Sequence, residues 1–315
     1  MKIKLPDELK ADIPQTLLGK IMSATPIVMT VIATMLAGLA SSEMTQAQYD
    51  RSLAAQQQSK AGDQWSFFQA KRLRSALQRN TLDLLQAANE IHPLDLAALR
   101  QSISTSSGGD EGTAALLDSA AGQSALSLLQ KGELPAGHDA ITVAPEVSAA
   151  FAAIEKIRPA TEIAASLAKV SDGLIAETLV AAKERTDSFD AATGPVNKTI
   201  DTVENAIQGP GGSGAARRDF IAARLRFAAL RYDAEARLNQ TIANLYELQV
   251  RKNNLSAERH HGRSQRFFYG MLGAQLAVII ATFAIAARQR NLLWTLAAGA
   301  GVTAFMFAAY VYLYV

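Results

Sequence analysis

The chain of 315 residues contains no cysteine. Disulfides, thiolate metal sites and cysteine nucleophiles are therefore excluded, and redox usage says nothing about compartment. Aromatic residues are scarce, at 6% of a sequence that is 49% hydrophobic. The apolar character rests on alanine and leucine, a balance that favours helix over strand. No long stretch alternates β-branched with polar residues, so no sheet is expected. Neither charge dominates. The net charge of +2 argues against a protein drawn to nucleic acid by bulk electrostatics. Gly209 to Gly214 lack the lysine and hydroxyl residue that end a phosphate loop, and no strand precedes them. No nucleophile elbow, H-E-x-x-H or carboxylate cluster occurs. His260 and His261 are adjacent and would point about 100° apart on a helix, a poor chelating pair. His92 and His138 lie in distant loops. The expectation is a protein without catalytic residues, metal or cofactor.

What the sequence does contain is long apolar runs. Phe267 to Ala287 is one uncharged run and Leu292 to Val315 a second. Each has about the length needed to cross a hydrocarbon core of roughly 30 Å. Arg288, Gln289, Arg290 and Asn291 separate them, too short a link to recross a bilayer, so the runs form an antiparallel hairpin. Ile21 to Ala40 is a third run. Pro26 sits near its start, where a missing N–H costs least. Thr25, Thr30 and Thr34 can bond back to its own carbonyls. Gly38-Leu39-Ala40 resembles a signal-peptidase site. The apolar core is longer than a signal core and follows a long, partly acidic arm, which favours an uncleaved anchor. The fold class expected is all-α: an integral membrane protein with three transmembrane helices and an extramembrane antiparallel coiled-coil domain.

The remaining chain divides as follows. Residues 1–20 are a polar arm. Residues 41–100 read as a long outgoing helix that Gly62 bends or breaks, with Asp63 capping a new helix. Leu73, Leu77, Leu84 and Ile91 give it one apolar seam. Residues 101–214 form a helical insert bounded by flexible linkers, SISTSSGGDEG and the glycines Gly209 to Gly214. Within it, Glu146 to Ala192 reads as helix interrupted at Arg158-Pro159, and Gly194-Pro195 stops it. Residues 215–265 are a long returning helix, which should pair with the outgoing one. Four lysines in the arm and two arginines in the link oppose the basic foot of the returning helix. Long domains translocate largely regardless of charge, which favours a periplasmic helical domain on a bacterial inner membrane.

The segment Asp63-Gln64-Trp65-Ser66-Phe67-Phe68-Gln69-Ala70-Lys71 resembles the D-Q-W-x-[FY]-[FY]-Q-A-K motif of an uncharacterised bacterial membrane-protein family, a domain of unknown function. Arg288, Arg290, Trp294 and Gln275 resemble the same family's C-terminal hairpin. The resemblance covers roughly residues 20–80 and 255–315, and implies an N-terminal span, a coiled coil and a two-span hairpin. It implies no activity, and the 102–214 insert departs from the family.

Two sets of residues are candidates for function. Trp65, Phe68, Gln69 and Lys71 combine aromatic contact area with positive charge, as an interaction surface does; packing against the returning helix, with Lys71 and Arg72 reaching outward, accounts for the same pattern. Gly273, Ala277, Ala281, Ala300, Ala304 and Ala308 recur every fourth residue and allow close helix–helix approach, within the hairpin or between protomers. No span holds an ionisable residue, which counts against a pump or transporter. The function expected is a non-enzymatic scaffold that self-associates in the lipid bilayer as a homo-oligomer. The alternative is an accessory subunit of an envelope export, maintenance or signalling complex, binding a protein partner through its helical domain. An oligomeric channel lined by Thr25, Thr30, Thr34 or Gln275 ranks third.

Overall fold

The computed structural model describes residues 17–106, 111–135, 141–209, 213–286 and 290–314. Most of the N-terminal arm, His138, the glycines of both linkers apart from Gly112, Gly209 and Gly214, and Arg288 and Gln289 lie outside the described residues. Nine helices and no strand occur among the described residues: α1 (Leu17–Ala88), α2 (Leu96–Thr105), α3 (Glu111–Asp118), α4 (Ala120–Lys131), α5 (Pro145–Glu155), α6 (Ala160–Ala168), α7 (Asp172–Ile207), α8 (Gly214–Ala286) and α9 (Arg290–Tyr314). The chain is all-α, as its composition implies. Three of these helices, α1, α8 and α9, are long and apolar enough to cross a membrane.

The chain forms two compact units. Unit 1 comprises residues 1–55 and 251–315, and unit 2 comprises residues 56–250. Helices α1 and α8 contribute to both.

In unit 1, α1, α8 and α9 pack together through small side chains. Ala33, Ala274 and Ala304 form one cluster, and Ala281, Ala284, Trp294 and Ala297 a second. Leu36, Ala40, Phe267 and Val311 form a third. The buried positions of α8 and α9 alternate at spacings of three and four, the ridge pattern of helices that cross at a shallow angle. Large residues such as Val31, Met35, Leu276 and Phe305 face outward. The hydroxyls of Thr30 and Thr34 donate to the carbonyls of Pro26 (2.8 Å) and Thr30 (2.9 Å). Pro26 lies inside α1 rather than near its start, because the helix already begins at Leu17.

In unit 2, α8 is buried on nearly every side. Phe220, Leu225, Phe227, Leu238, Leu245 and Leu248 all lie inside, as expected of a central helix. Leu99, Leu126, Leu129, Val203, Phe220 and Phe227 share the main core, which joins α2, α4, α7 and α8. Phe189 of α7 packs on Ala234 and Leu238. Local signals set the small helices. Asp95 caps α2 by accepting from Ala97 N at 2.8 Å, and Ser119 caps α4 by accepting from Gly122 N at 3.0 Å. Gly132 ends α4 at φ 67°, a left-handed turn that costs glycine little.

The structure departs from the sequence reading at several breakers. α1 runs through Gly62 without interruption, so Asp63 caps nothing. α7 runs through Gly194-Pro195. Proline costs a helix interior about 3 kcal/mol, but Phe189, Val196 and Ile200 on both sides of it are buried, and that burial outweighs the cost. Conversely, α6 ends at Ala168 and α7 begins at Asp172, a second break beyond Arg158-Pro159. Ser171 is the reason: its hydroxyl accepts from Leu174 N at 3.1 Å. The apolar seam is placed differently as well. Leu73, Leu77 and Leu84 are exposed, at 71%, 59% and 70%, and Ile91 falls after α1 has ended. The side of α1 that packs is instead marked by a heptad series of small residues, Ala33, Ala40, Ala47 and Ala54 in unit 1, Ala61 and Ser75 in unit 2, with Phe68 at the one large position between the last two.

Candidate functional site

The segment from Trp65 to Arg79 lies along α8 within unit 2, antiparallel to it. Ser75 Oγ donates to the carbonyl of Ala229 at 2.9 Å and fixes the register. That register sets Phe68 opposite Ala236 and Ala61 opposite Ala243. Ala236 leaves room for the ring of Phe68, and at Ala61 and Ala243 two small residues face each other. Trp65 is half-buried, and its indole N–H donates to Glu247 Oε1 at 2.8 Å. Phe68 meets the Trp65 ring edge-on, with centroids 5.4 Å apart and planes at 84°, a favoured aromatic geometry. Gln69 is exposed and joins no part of this cluster.

Lys71 is turned toward α8, where its ammonium pairs with Glu235 and lies 5.5 Å from the centroid of Tyr232. Arg72 Nη1 is 3.1 Å from Asp233 Oδ1, and Arg79 pairs with the other oxygen of Asp233. Arg231 Nε is 3.6 Å from Glu235 Oε1 and stacks 4.6 Å from Tyr232. Asp233 and Glu235 are buried, and burying a carboxylate is costly unless it is paired; here each holds two cations. Asp190, on the exposed side of α7, is raised above the ordinary value of 3.8. Desolvation leads, joined by repulsion from Glu235 and Asp187, against the weaker pull of Lys71 and Arg231. About three turns further along α8 from Glu235, Tyr246 lies between Lys60 of α1 at 5.9 Å and Lys183 of α7 at 5.6 Å.

A cleft of about 220 Å³ opens beside Trp65. α5 lines it with Phe151, Ile154 and Glu155, and α8 with Gln240, Asn244 and Glu247. The sequence holds no signal that joins residues 151–155 to residue 65. Their meeting depends on the tertiary placement of α5 against α8. The run Arg231-Tyr232-Asp233-Ala234-Glu235 carried part of the signal, since Arg231 stands four positions before Glu235, where a helix brings the pair together.

In unit 1, Glu43 of α1 is held by His260 Nδ1 at 2.5 Å and by Arg263 Nη1 at 3.6 Å. Ser264 Oγ donates to the carbonyl of Ala40 at 2.7 Å. The histidines therefore sit in an ion-pair and hydrogen-bond setting, and no group of three metal-ligating side chains occurs among the described residues. Of the small residues, Ala277, Ala281 and Ala304 are buried, while Gly273, Ala300 and Ala308 are half-buried. A methyl group added at Gly273 would meet Ala304 Cβ at 3.6 Å, so this face is in contact within the protomer. Thr30, Thr34 and Gln275 are exposed on the outer surface.

The profile of a family described as a domain of unknown function, DUF4337, matches residues 20–108. The match takes in the first apolar run and the Trp65–Lys71 segment, and covers less than a third of the chain. Residues 255–315, where the sequence resemblance also placed the family, lie outside it. No curated protein and no solved structure matches the chain.

Proposed function

We propose that this protein is a membrane-anchored helical scaffold without catalytic activity that self-associates. The three apolar helices anchor it in a bilayer, which we take to be a bacterial inner membrane with unit 2 on the periplasmic side. The heptad-spaced alanines of α1, which face α8, support a tightly packed antiparallel coiled coil. The observation that carries self-association is the leucine stripe of α1. Leu77 and Leu84 lie nine positions, about two and a half turns, from Phe68 and Ser75, and so stand opposite the packed side. With Leu73 they leave an exposed apolar strip, the mark of an interaction surface. Small residues in the spans support association less, because Ala277, Ala281 and Ala304 are already buried within the protomer.

The mass of the gently solubilised particle tests this reading. The parent should be an oligomer, and Leu77→Glu should dissociate it without loss of helicity. A strictly monomeric parent overturns the proposal. Orientation is tested through the absence of native cysteine. A lone thiol introduced by Ser213→Cys should be labelled from the periplasmic side only.

A second reading, an accessory subunit that binds a protein partner, is favoured by the cleft beside Trp65. Crosslinking from that position should then yield heterologous adducts, where the scaffold reading alone yields self-adducts.

A further inference from the structure

The cleft beside Trp65 has a definite chemistry. Its volume of about 220 Å³ falls below the roughly 300–1,000 Å³ usual for small-molecule sites, and suits a single side chain. Its floor and walls combine Trp65 and Phe151 with two carboxylates, Glu155 and Glu247. The indole N–H is already taken by Glu247, so Trp65 offers its guest π surface rather than a donor. Elsewhere in unit 2 several carboxylates near α8 are paired: Glu235 with Lys71, Asp233 with Arg72, Glu204 with Arg224. Glu155 and Glu247 make no ion pair among the described residues. Aromatic faces attract cations through their quadrupole, two unpaired carboxylates do so by charge, and the amide oxygens of Gln240 and Asn244 can accept from an ammonium or guanidinium. An anion meets two like charges here.

We infer that this cleft binds a cationic group on an aliphatic stem, the ammonium or guanidinium of a lysine or arginine carried by a partner segment. A free alkylamine has the same chemistry. Ile157 favours the partner segment. It lies two residues beyond Glu155, is 88% exposed, and is held at φ 50°, a conformation that β-branched residues avoid. An exposed apolar residue two positions along the chain from a cleft carboxylate offers a second contact to a chain and none to a small amine. The cation's source rests on the partner-binding reading above; the preference for positive charge does not.

The experiment uses the full-length protein in detergent or lipid nanodiscs. Trp294→Phe leaves Trp65 as the sole tryptophan, since the chain has two. Its emission is followed while a short lysine-containing peptide, the same peptide with its lysine acetylated, and butylamine are added. The basic peptide should give a saturable change and the acetylated one none. Glu247→Gln, which keeps an oxygen for the Trp65 indole, should raise the half-saturation concentration about fivefold or more, and so should Glu155→Gln at its exposed position. Circular dichroism checks that each variant is folded. Half-saturation by the peptide at least tenfold below that of butylamine assigns the cation to a partner; equal values uphold the cleft and overturn the partner as its source. No saturable response, an equal response to the acetylated peptide, or no effect of either variant overturns the inference. Light scattering on the same sample reports self-association separately, so failure here and failure of the scaffold reading are distinguishable.

Discussion

Helix α8 belongs to both units and differs between them in how many large side chains it buries. In unit 1 its most buried side chains are Ala274, Ala277, Ala281 and Ala284, while Leu276, Ile279 and Phe283 face outward. In unit 2 its buried side chains include Phe220, Phe227, Leu245 and Leu248. Water accounts for the second arrangement, since burying a large apolar side chain in an aqueous protein contributes about 1.5–3 kcal/mol. That drive is missing between helices in lipid. There, close approach and dispersion decide, and small residues provide both. The contrast supports the proposed anchoring of unit 1, because its outward apolar surface is stable only in apolar surroundings.

Substitutions on the two stretches of α8 should differ in cost. Phe227→Ala removes a fully buried ring from the main core of unit 2 and should cost about 3–5 kcal/mol, read as a lowered denaturation midpoint of that unit. Ala277→Leu is the converse test in unit 1. Overpacking a tight interface should cost about 1–3 kcal/mol, read as lowered thermal stability in detergent. If Ala277→Leu is neutral, the close packing of unit 1 is not what holds it together. Two matched hydrogen bonds come next. Ser75→Ala and Ser264→Ala each remove a hydroxyl that donates to a carbonyl of the facing helix. Each should cost about 1 kcal/mol, and a large disparity between them would show that the two units differ in more than their surroundings.

The smallest effect is expected at Asp190. Its carboxyl holds its proton more tightly in the folded chain than in the unfolded one, through desolvation first and then Glu235 and Asp187. A raised acid favours the fold fully below the ordinary value of 3.8 and loses that contribution as pH rises through the folded value. Asp190→Asn removes the penalty of the charged form. It should slightly raise the denaturation midpoint at neutral pH, and the gain should vanish in acid. A gain that persists in acid would assign the effect to something other than charge.

How far the site was legible depended on the residue. Trp65, Phe68 and Lys71 stood out as aromatics beside a cation, and all three face α8. Glu247, the polar partner of Trp65, is one of many glutamates on helical faces and gave no sign. The leucines misled for a physical reason. A periodic apolar strip shows that a helix has a preferred side, but not whether that side meets its own chain. The side that packs in α1 is marked by alanine, which fits inside or outside equally well and so leaves little trace in a hydrophobic pattern. Breakers were uncertain for a related reason. Gly62 and Pro195 carry local costs of about 1 and 3 kcal/mol, which a packed surface on both sides can exceed. Ser171 needed only its own hydroxyl and a free N–H to end one helix and start the next.

Helical class and three apolar runs long enough to cross a bilayer are legible in the residues alone, because composition and run length act locally and need no partner. Which side of α1 is covered, which helices run through their breakers, and which carboxylates find cations are settled in the folded chain. Those outcomes depend on what each residue meets across the fold, and residues as far apart as Trp65 and Glu247 become neighbours only when the chain has folded.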